Sequence, residues 1–288
     1  MPTASTAGLL RPDEFARHVT LVRQQVGVEA APWVENRWSL RWSLPEGRWY
    51  DSEVIPHPTC SLTVELGSHP RSGMPPGEVV VVTGVCTRRF DVEVRGWGRV
   101  VGLRFRPGGL AALTGHPASA WTDRSVAATE VLPRALAAAL ADPGLADDGS
   151  AWAQTAEQGL AALAHDRPDP RYDLLLDVVA DMLADHSLLT VAEVADRHAV
   201  TVRTLQRLFT HYVGVGPKSV LARYRLHDAV ADLDAGWPGS LTDLAVLYGW
   251  YDQAHFTRDF TALVGVPPGQ YRDRLTSQDK GNPASAAR

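Results

Sequence analysis

The amino-acid sequence predicts an α+β protein, with a β-rich first half carrying flanking helices and an all-α second half in which two similar helical units are joined by a long helix. Three observations carry this expectation. Between Trp33 and Phe105 the chain runs in short β-rich stretches cut by proline and glycine. Beyond Pro170 every segment has helical periodicity. Within that helical half a pattern recurs, Val194-Ala195 matching Leu244-Ala245 and Leu205 matching Phe256.

A chain of 288 residues exceeds the usual single domain, so two are expected. With 45% hydrophobic and 21% charged residues the composition is that of an ordinary globular protein and excludes a fibrous or disordered one. The net charge of -5 excludes a wholly basic, histone-like surface but leaves room for a local cationic face. The opening MPTASTAGLLRPDEF has no basic stretch leading into an apolar core, and no run of about 18 apolar residues occurs, so a cytoplasmic location away from membranes is expected. Two cysteines, Cys60 and Cys86, cannot build a disulfide scaffold and lack zinc-site spacing.

In the first half, RWSLRWSL, CSLTVEL, EVVVVTGV, FDVEV and RVVGLRF read as strands of a sandwich or barrel, separated by LPEG, IPHP, MPPGE and RGWG. After RPGG the Ala/Leu-rich stretches 110–114 and 131–141 read as helices, DPGLADDGS (142–150) as a loop, and 151–165 as a further helix. DRPDP at 166–170 disfavours helical geometry and is the expected boundary. Beyond it, Leu174, Leu175, Val178, Val179, Met182 and Leu183 make an apolar stripe. The tail from Ser277 has nothing to bury. The expected division is therefore 1–165, a β-rich sensor or dimerisation domain; 166–186, a linker and first helix; 187–275, the double helical unit; and 276–288, a disordered tail.

Each copy of the repeat has helix-turn-helix logic. A small residue, Ala195 or Ala245, sits where a second helix must approach closely, and the turn falls at Ala199 or Gly249. Thr201 or Asp252 then stands at the N-cap of the new helix. Leu205, Leu208 and Phe209 in one copy, Phe256 and Phe260 in the other, point to the core. Left outward are Arg203, Thr204, Gln206, Arg207 and Thr210 in the first copy, and Gln253, Ala254, His255, Thr257, Arg258 and Thr261 in the second. Arg and Gln can bond guanine and adenine edges bidentately and Thr offers a hydroxyl and a methyl, so this face reads as base-reading or else as plain solvated surface. Between the copies, Pro217 to Asp234 is apolar at helical spacing, a helix of roughly 27 Å at 1.5 Å per residue. Major grooves on one face of DNA repeat about every 34 Å, so the connector implies a modest bend or incomplete insertion of one unit.

Two tandem units of this kind, with TLQRLF in the first and GWYDQAHFTRDFTALVGVPPGQYR closing the second, resemble the AraC/XylS regulators over residues 187–275. The resemblance implies a transcription regulator whose base-contacting positions are Arg203, Gln206 and Arg207 in the first unit and Gln253, Ala254, His255, Thr257 and Arg258 in the second, with Lys218 placed like a phosphate contact. Ala254 departs from the pattern because it offers only a methyl. Nine Arg and Lys against nine Asp and Glu over 187–275 make the domain neutral, so specific binding is expected to use a dimer on two half-sites. The implied partners are double-stranded promoter or operator DNA, a small-molecule effector, a second copy of the chain, and RNA polymerase. The first half, through LPEG, VIPHPTCSLTVEL, TGV and VVGLRFRPGG, resembles the cupin-like sensor domain of some of these regulators over about residues 30–125.

No catalytic centre, cofactor or metal is expected. Metal-binding cupins carry an HxH pair that this sequence lacks, although His57, His69 and His116 lie in this half, and no Walker, GxGxxG, GxSxG or HExxH motif occurs. Trp33, Trp38, Trp42, Trp49 and Trp97 crowd the first half as pocket lining or as core. Arg104 and Arg106 either hold an anionic ligand or are exposed strand-end arginines. The candidate ligand residues are Trp38, Trp42, His57 and Arg104. Open alternatives are a regulator whose first half only dimerises, a cupin-type enzyme, and a thiol sensor using Cys60 and Cys86.

Overall fold

A computed structural model describes residues 8–147, 149–164 and 169–279. Alternating apolar residues, with Pro and Gly between the runs, build two antiparallel sheets from β1 (Val19–Gln24), β2 (Val34–Ser43), β3 (Trp49–Val54), β4 (Ser61–Gly67), β5 (Val80–Thr83), β6 (Phe90–Arg95), β7 (Trp97–Phe105) and β8 (Ser125–Ala127). Six strands form one sheet in the order β1-β2-β7-β4-β5-β8, and β3 pairs with β6 as a second. The two sheets pack through Val19, Tyr50, Val94 and Trp42, so the first half is a β-rich body with two layers. Around it lie α1 (Pro12–His18), α2 (Gly109–Thr114), α3 (Arg134–Leu140), α4 (Pro143–Asp147) and α5 (Gly149–Ala161). No helix among the described residues is long and apolar enough to cross a membrane.

The helical half follows as α6 (Pro170–Ala184), α7 (Val191–Arg197), α8 (Val202–Tyr212), α9 (Pro217–Asp234), α10 (Leu241–Leu247), α11 (Gln253–Val264) and α12 (Pro268–Asp279). The connector α9 has the bounds its apolar spacing predicts, with Pro217 at the first turn, where a missing N–H costs nothing. Its two ends belong to different cores. Val220, Leu221 and Tyr224 join a core that runs from Phe105 and Leu110 of the β-rich body through α6 to Leu205 and Phe209. Leu226, Val230 and Leu233 pack instead with Phe256 and Phe260, together with Leu10 and Ile55 from the first half. The packing is therefore continuous across the proline-rich boundary: proline interrupts a helix but does not keep apolar faces apart.

Several local expectations are corrected. The sheet begins at Val19, not Trp33; in β1 the inward alternation Val19, Leu21, Arg23 is masked by its arginine. The 131–141 helix starts only at Arg134. The stretch expected to be a loop at 142–150 contains α4, whose proline sits at the first helical position, where proline is tolerated. Leu183, placed in the buried stripe, is 50% exposed, because the stripe ends at Met182. Helix α12 continues to Asp279, past the expected start of the tail; residues 280–288, like 165–168 of the boundary segment, lie outside the described residues.

Both turns of the repeat are left-handed, Ala199 at φ 52° and Gly249 at φ 71°. A Cβ in this region costs about 1–2 kcal/mol, and glycine returns about half of that as unfolded-chain entropy. Ala199→Gly is accordingly expected to raise the melting temperature by roughly 1–3 °C, measured by differential scanning calorimetry; a fall would show that the Cβ of Ala199 supplies packing worth more than the strain.

Candidate nucleic-acid interface and ligand cavity

The two reading helices are started by side-chain caps. Thr201 Oγ1 accepts from the Thr204 amide at 3.1 Å, and Asp252 Oδ1 from the His255 amide at 2.7 Å. Ala195 and Ala245 are buried at the helix crossings, and Leu205, Leu208, Phe209, Phe256 and Phe260 anchor the inner faces. What remains outward in α8 is Arg203, Thr204, Gln206, Arg207 and Thr210, all exposed. Lys218, at the start of α9, is exposed as well.

The second helix is more committed internally. Gln253 Oε1 accepts a hydrogen bond from Thr242 at 2.8 Å. His255 Nε2 lies 3.3 Å from Asp259, whose carboxylate also accepts from Trp250 Nε1 at 2.9 Å. Thr257 is half-buried and its carbonyl accepts from the Thr261 hydroxyl at 2.6 Å. Arg258 and Ala254 are exposed. Of the predicted positions, then, α8 offers the exposed side chains of Arg203, Gln206, Arg207 and Thr210, with the Thr204 hydroxyl bonded to that of Thr201 at 2.9 Å, whereas α11 offers Arg258, the Gln253 amide and the methyl of Ala254.

Sequence reasoning missed the residues that hold these helices in place. On α9, Arg225 Nη1 donates to the carbonyls of Leu189, Tyr248 and Gly249 and its guanidinium lies 5.4 Å from the Trp250 ring centre, so it clasps the second turn to the segment before α7. At the C-terminal ends of both reading helices, about three turns from their N-termini, the β-rich body grips them from behind. Thr122 donates to the Gly214 carbonyl at 2.8 Å, just after α8, and Arg89 Nη1 donates to the Val264 carbonyl at 2.9 Å, the last of α11. A cation at a helix C-terminus complements the helix dipole. The only sequence signal for any of these was the appearance of polar residues, as in Arg223-Tyr224-Arg225, inside an apolar periodicity.

A cavity of about 770 Å³ lies between the two sheets, and all four predicted ligand residues, Trp38, Trp42, His57 and Arg104, line it. Arg104 is not an exposed strand-end arginine: its side chain is 12% exposed and its Nε stands 3.0 Å from Glu35. Arg106 instead donates to the Ala31 carbonyl at 2.7 Å. Trp49 and Trp97 are both 57% exposed and neither pocket lining nor core. His57 stacks face to face on His227 of α9 with ring centres 4.4 Å apart. Beside that pair the buried Arg223 donates to the carbonyls of Pro56, at 2.5 Å, and Cys86, at 3.1 Å. Pro56, His57 and Cys86 all belong to the cavity wall, so one side of the cavity is also the seam with the helical half. Burial pushes the Cys60 thiol up to about 12 and raises that of Cys86, which disfavours the reactive thiolate at both. Among the described residues no group of three or more His, Cys, Asp or Glu is placed to hold a metal.

Two capped helices standing outward from buried small-residue crossings, one at each end of a rigid connector, define a double helix-turn-helix domain of the kind that docks on duplex DNA. Residues 194–274 match a family model described as a helix-turn-helix domain, and residues 29–127 match one described as a domain of unknown function, DUF6597. An AraC-like transcription regulator of Streptomyces lividans is 36% identical over 87 residues, 30% of this chain and 28% of that protein. The HTH-type transcriptional activator RhaS of Yersinia pestis is 32% identical over 118 residues, 41% of this chain and 42% of that protein. The chain spans less than half the length of these curated relatives. Its helical half matches a helix-turn-helix domain, and the curated proteins it resembles there are named as transcription regulators or activators. Among solved structures the chain is similar to an AraC-type regulator from Chromobacterium violaceum, at 24% identity over 36% of this chain and 92% of that one with a TM-score of 0.33. It is also similar to ToxT from Vibrio cholerae, at 12% identity over 90% of this chain and 98% of that one with a TM-score of 0.35.

Proposed function

We propose that the protein is a sequence-specific transcription regulator whose DNA docking is controlled by a small molecule in the cavity of its β-rich half. The observation that carries this reading is the double grip on the reading helices: Thr122 behind α8 and Arg89 behind α11 both belong to the half that contains the cavity. A ligand that favours one arrangement of that half shifts the relative pose of α8 and α11, provided its affinity differs between the two arrangements. Arg203, Gln206 and Arg207 are the base-reading residues of the first unit, and Gln253, His255, Thr257 and Arg258 those of the second. Lys218 neutralises a phosphate. The second unit reads fewer bases, since His255 is paired with Asp259, Thr257 is half-buried and Ala254 offers only a methyl. The division of labour follows the boundary near residue 166, with a cupin-like sensor before it.

The neutral charge balance leaves little non-specific affinity, so the proposal includes a second copy on a second half-site, a cytoplasmic location with the DNA, and contact with RNA polymerase from the bound form. The test is fluorescence-anisotropy titration of the full chain with the DNA flanking its own gene, against unrelated competitor duplex and over a range of salt. Saturable binding that survives competitor is expected, and Arg207→Ala is expected to cost about 1–3 kcal/mol and relax base preference at one position. Equal weakening on every duplex would make Arg207 a phosphate contact, and no preference for any duplex would overturn the proposal.

A further inference from the structure

Part of the cavity's polar lining is grouped at one end of the six-stranded sheet. Across the ladders, Arg23 of β1 stands opposite Trp38 of β2, and Asn36 of β2 stands opposite Arg104 of β7. Arg23, Asn36 and Arg104 therefore occupy one contiguous patch of the wall, and each lines the cavity. Charge at this patch is unbalanced. Arg104 is paired with Glu35, while Arg23 makes no ion pair among the described residues and is close enough to Arg104 and Glu35 for both to act on it. Elsewhere in the lining, Arg71 is neutralised by a bidentate contact with Glu65 at 2.9 to 3.1 Å. Two arginines thus share one acid. Asn36, 7% exposed, also holds its side-chain carbonyl without a hydrogen-bond partner, a state that costs stability unless something fills it.

Next to this cationic end the wall is aromatic by design of the backbone. Trp38 lies opposite Gly102 and Trp42 opposite Gly98, so two tryptophans four residues apart meet two glycines four residues apart on the antiparallel neighbour. A Cβ at Gly102 would fall 2.7 Å from the Trp38 indole, and one at Gly98 would overlap the Trp42 ring. The absent side chains let both indoles lie over the strand and keep the space above them open. Trp42 is further held by donating Nε1 to the Arg95 carbonyl at 3.1 Å.

We propose that this cavity takes a small organic anion with a flat aromatic body, its charged group seated between Arg23 and Arg104 and its donor, if it has one, bonded to the Asn36 carbonyl, with Trp38 beneath its ring and Trp42 further along the same wall. Guanidinium groups favour an anion over its neutral isostere, and a cavity of several hundred Å³ is the size in which small ligands are bound. This inference rests on the reading of the β-rich half as a sensor and adds to it the chemical class of what is sensed.

The test is isothermal titration calorimetry of the full chain with benzoate and indole-3-acetate, each compared with its uncharged amide, benzamide and indole-3-acetamide. Each anion is expected to bind at least tenfold more tightly than its amide. Arg23→Gln is expected to remove that preference, Arg23→Lys to retain part of it, and Arg134→Gln, exposed on α3 and outside the cavity wall, to leave it unchanged. Anions that bind no better than their amides, or not at all, or a preference that survives Arg23→Gln, would overturn the proposal. Each variant's melting temperature is compared with that of the parent; should Arg23→Gln fail to fold, Trp38→Leu, expected to weaken both ligands of a pair together, takes its place, and unchanged affinity in it counts equally against the proposal. The DNA titration above separates the two readings. DNA binding without anion preference leaves the regulator and removes the anion, whereas anion binding without any DNA preference does the reverse.

Discussion

Arg223→Met is expected to lower the stability of the protein by about 2–4 kcal/mol, since a buried acceptor stripped of its donor costs roughly 1–3 kcal/mol. The guanidinium is 6% exposed and reaches from α9 to the Pro56 and Cys86 carbonyls. Methionine preserves most of the apolar stem, so the loss isolates the hydrogen bonds. The Cys86 carbonyl loses the donor it has here, while Pro56 keeps only the hydrogen bond to its backbone from His227. Relief from burying a charge offsets part of this loss, which is why the expected figure lies below the sum of two bare carbonyls. Urea unfolding read by both far-ultraviolet dichroism and tryptophan fluorescence is the measurement. A falling midpoint with the two signals separating is expected, because the seam between the halves is what has been cut. Coincident transitions at an unchanged midpoint would mean that the apolar core through α6 couples the halves without Arg223.

Acidification is expected to act at the same seam. His227 is brought down to about 4, first by burial, then by the neighbouring Arg223 charge, with Arg104 adding to it and the Pro56 hydrogen bond opposing. His57 stacks on its other side. In the unfolded chain the imidazole returns to about 6.5. Below that value the unfolded chain binds a proton that the folded chain refuses, so stability falls as pH drops from about 6.5 to about 4 and levels off below. A gap of this size corresponds to about 3 kcal/mol at 1.36 kcal/mol per pH unit. Urea midpoints measured from pH 7 to pH 4, compared with those of His227→Gln, test this. The variant should lose the part of the slope that belongs to this residue; parallel curves would mean that His227 is protonated in the folded protein already near neutrality.

The legible and illegible parts of this chain divide along a physical line. The helical half could be read almost residue by residue. The apolar spacing of α9 marked its ends at Pro217 and Asp234, and the repeat marked Ala199 and Gly249 as turns, which both adopt positive φ. Caps, helix periodicity and small-residue crossings are contacts between residues a few positions apart, so their signals stand next to one another in the sequence. The β-rich half was legible as strands but not as a sheet: β1 was missed because its inward arginine broke the apolar alternation, and α4 was hidden by a proline that in fact begins it.

Site residues divide in the same way. Trp38, Trp42, His57 and Arg104 were recognisable as candidate lining from their chemistry, and the tertiary fold brings all four to one cavity. Arg23, 81 positions before Arg104, joins them only through the strand order β1-β2-β7. By itself the sequence determined the helix-turn-helix units, their outward polar faces and the length of the connector between them, because each is set by short-range periodicity. Only the tertiary structure decided that Arg89 and Thr122 hold the reading helices from behind, that Arg223 and His227 close the seam, and that two arginines share one acid. Each of those joins groups far apart in the chain, and register and packing, which have no local signature, are what bring such groups together.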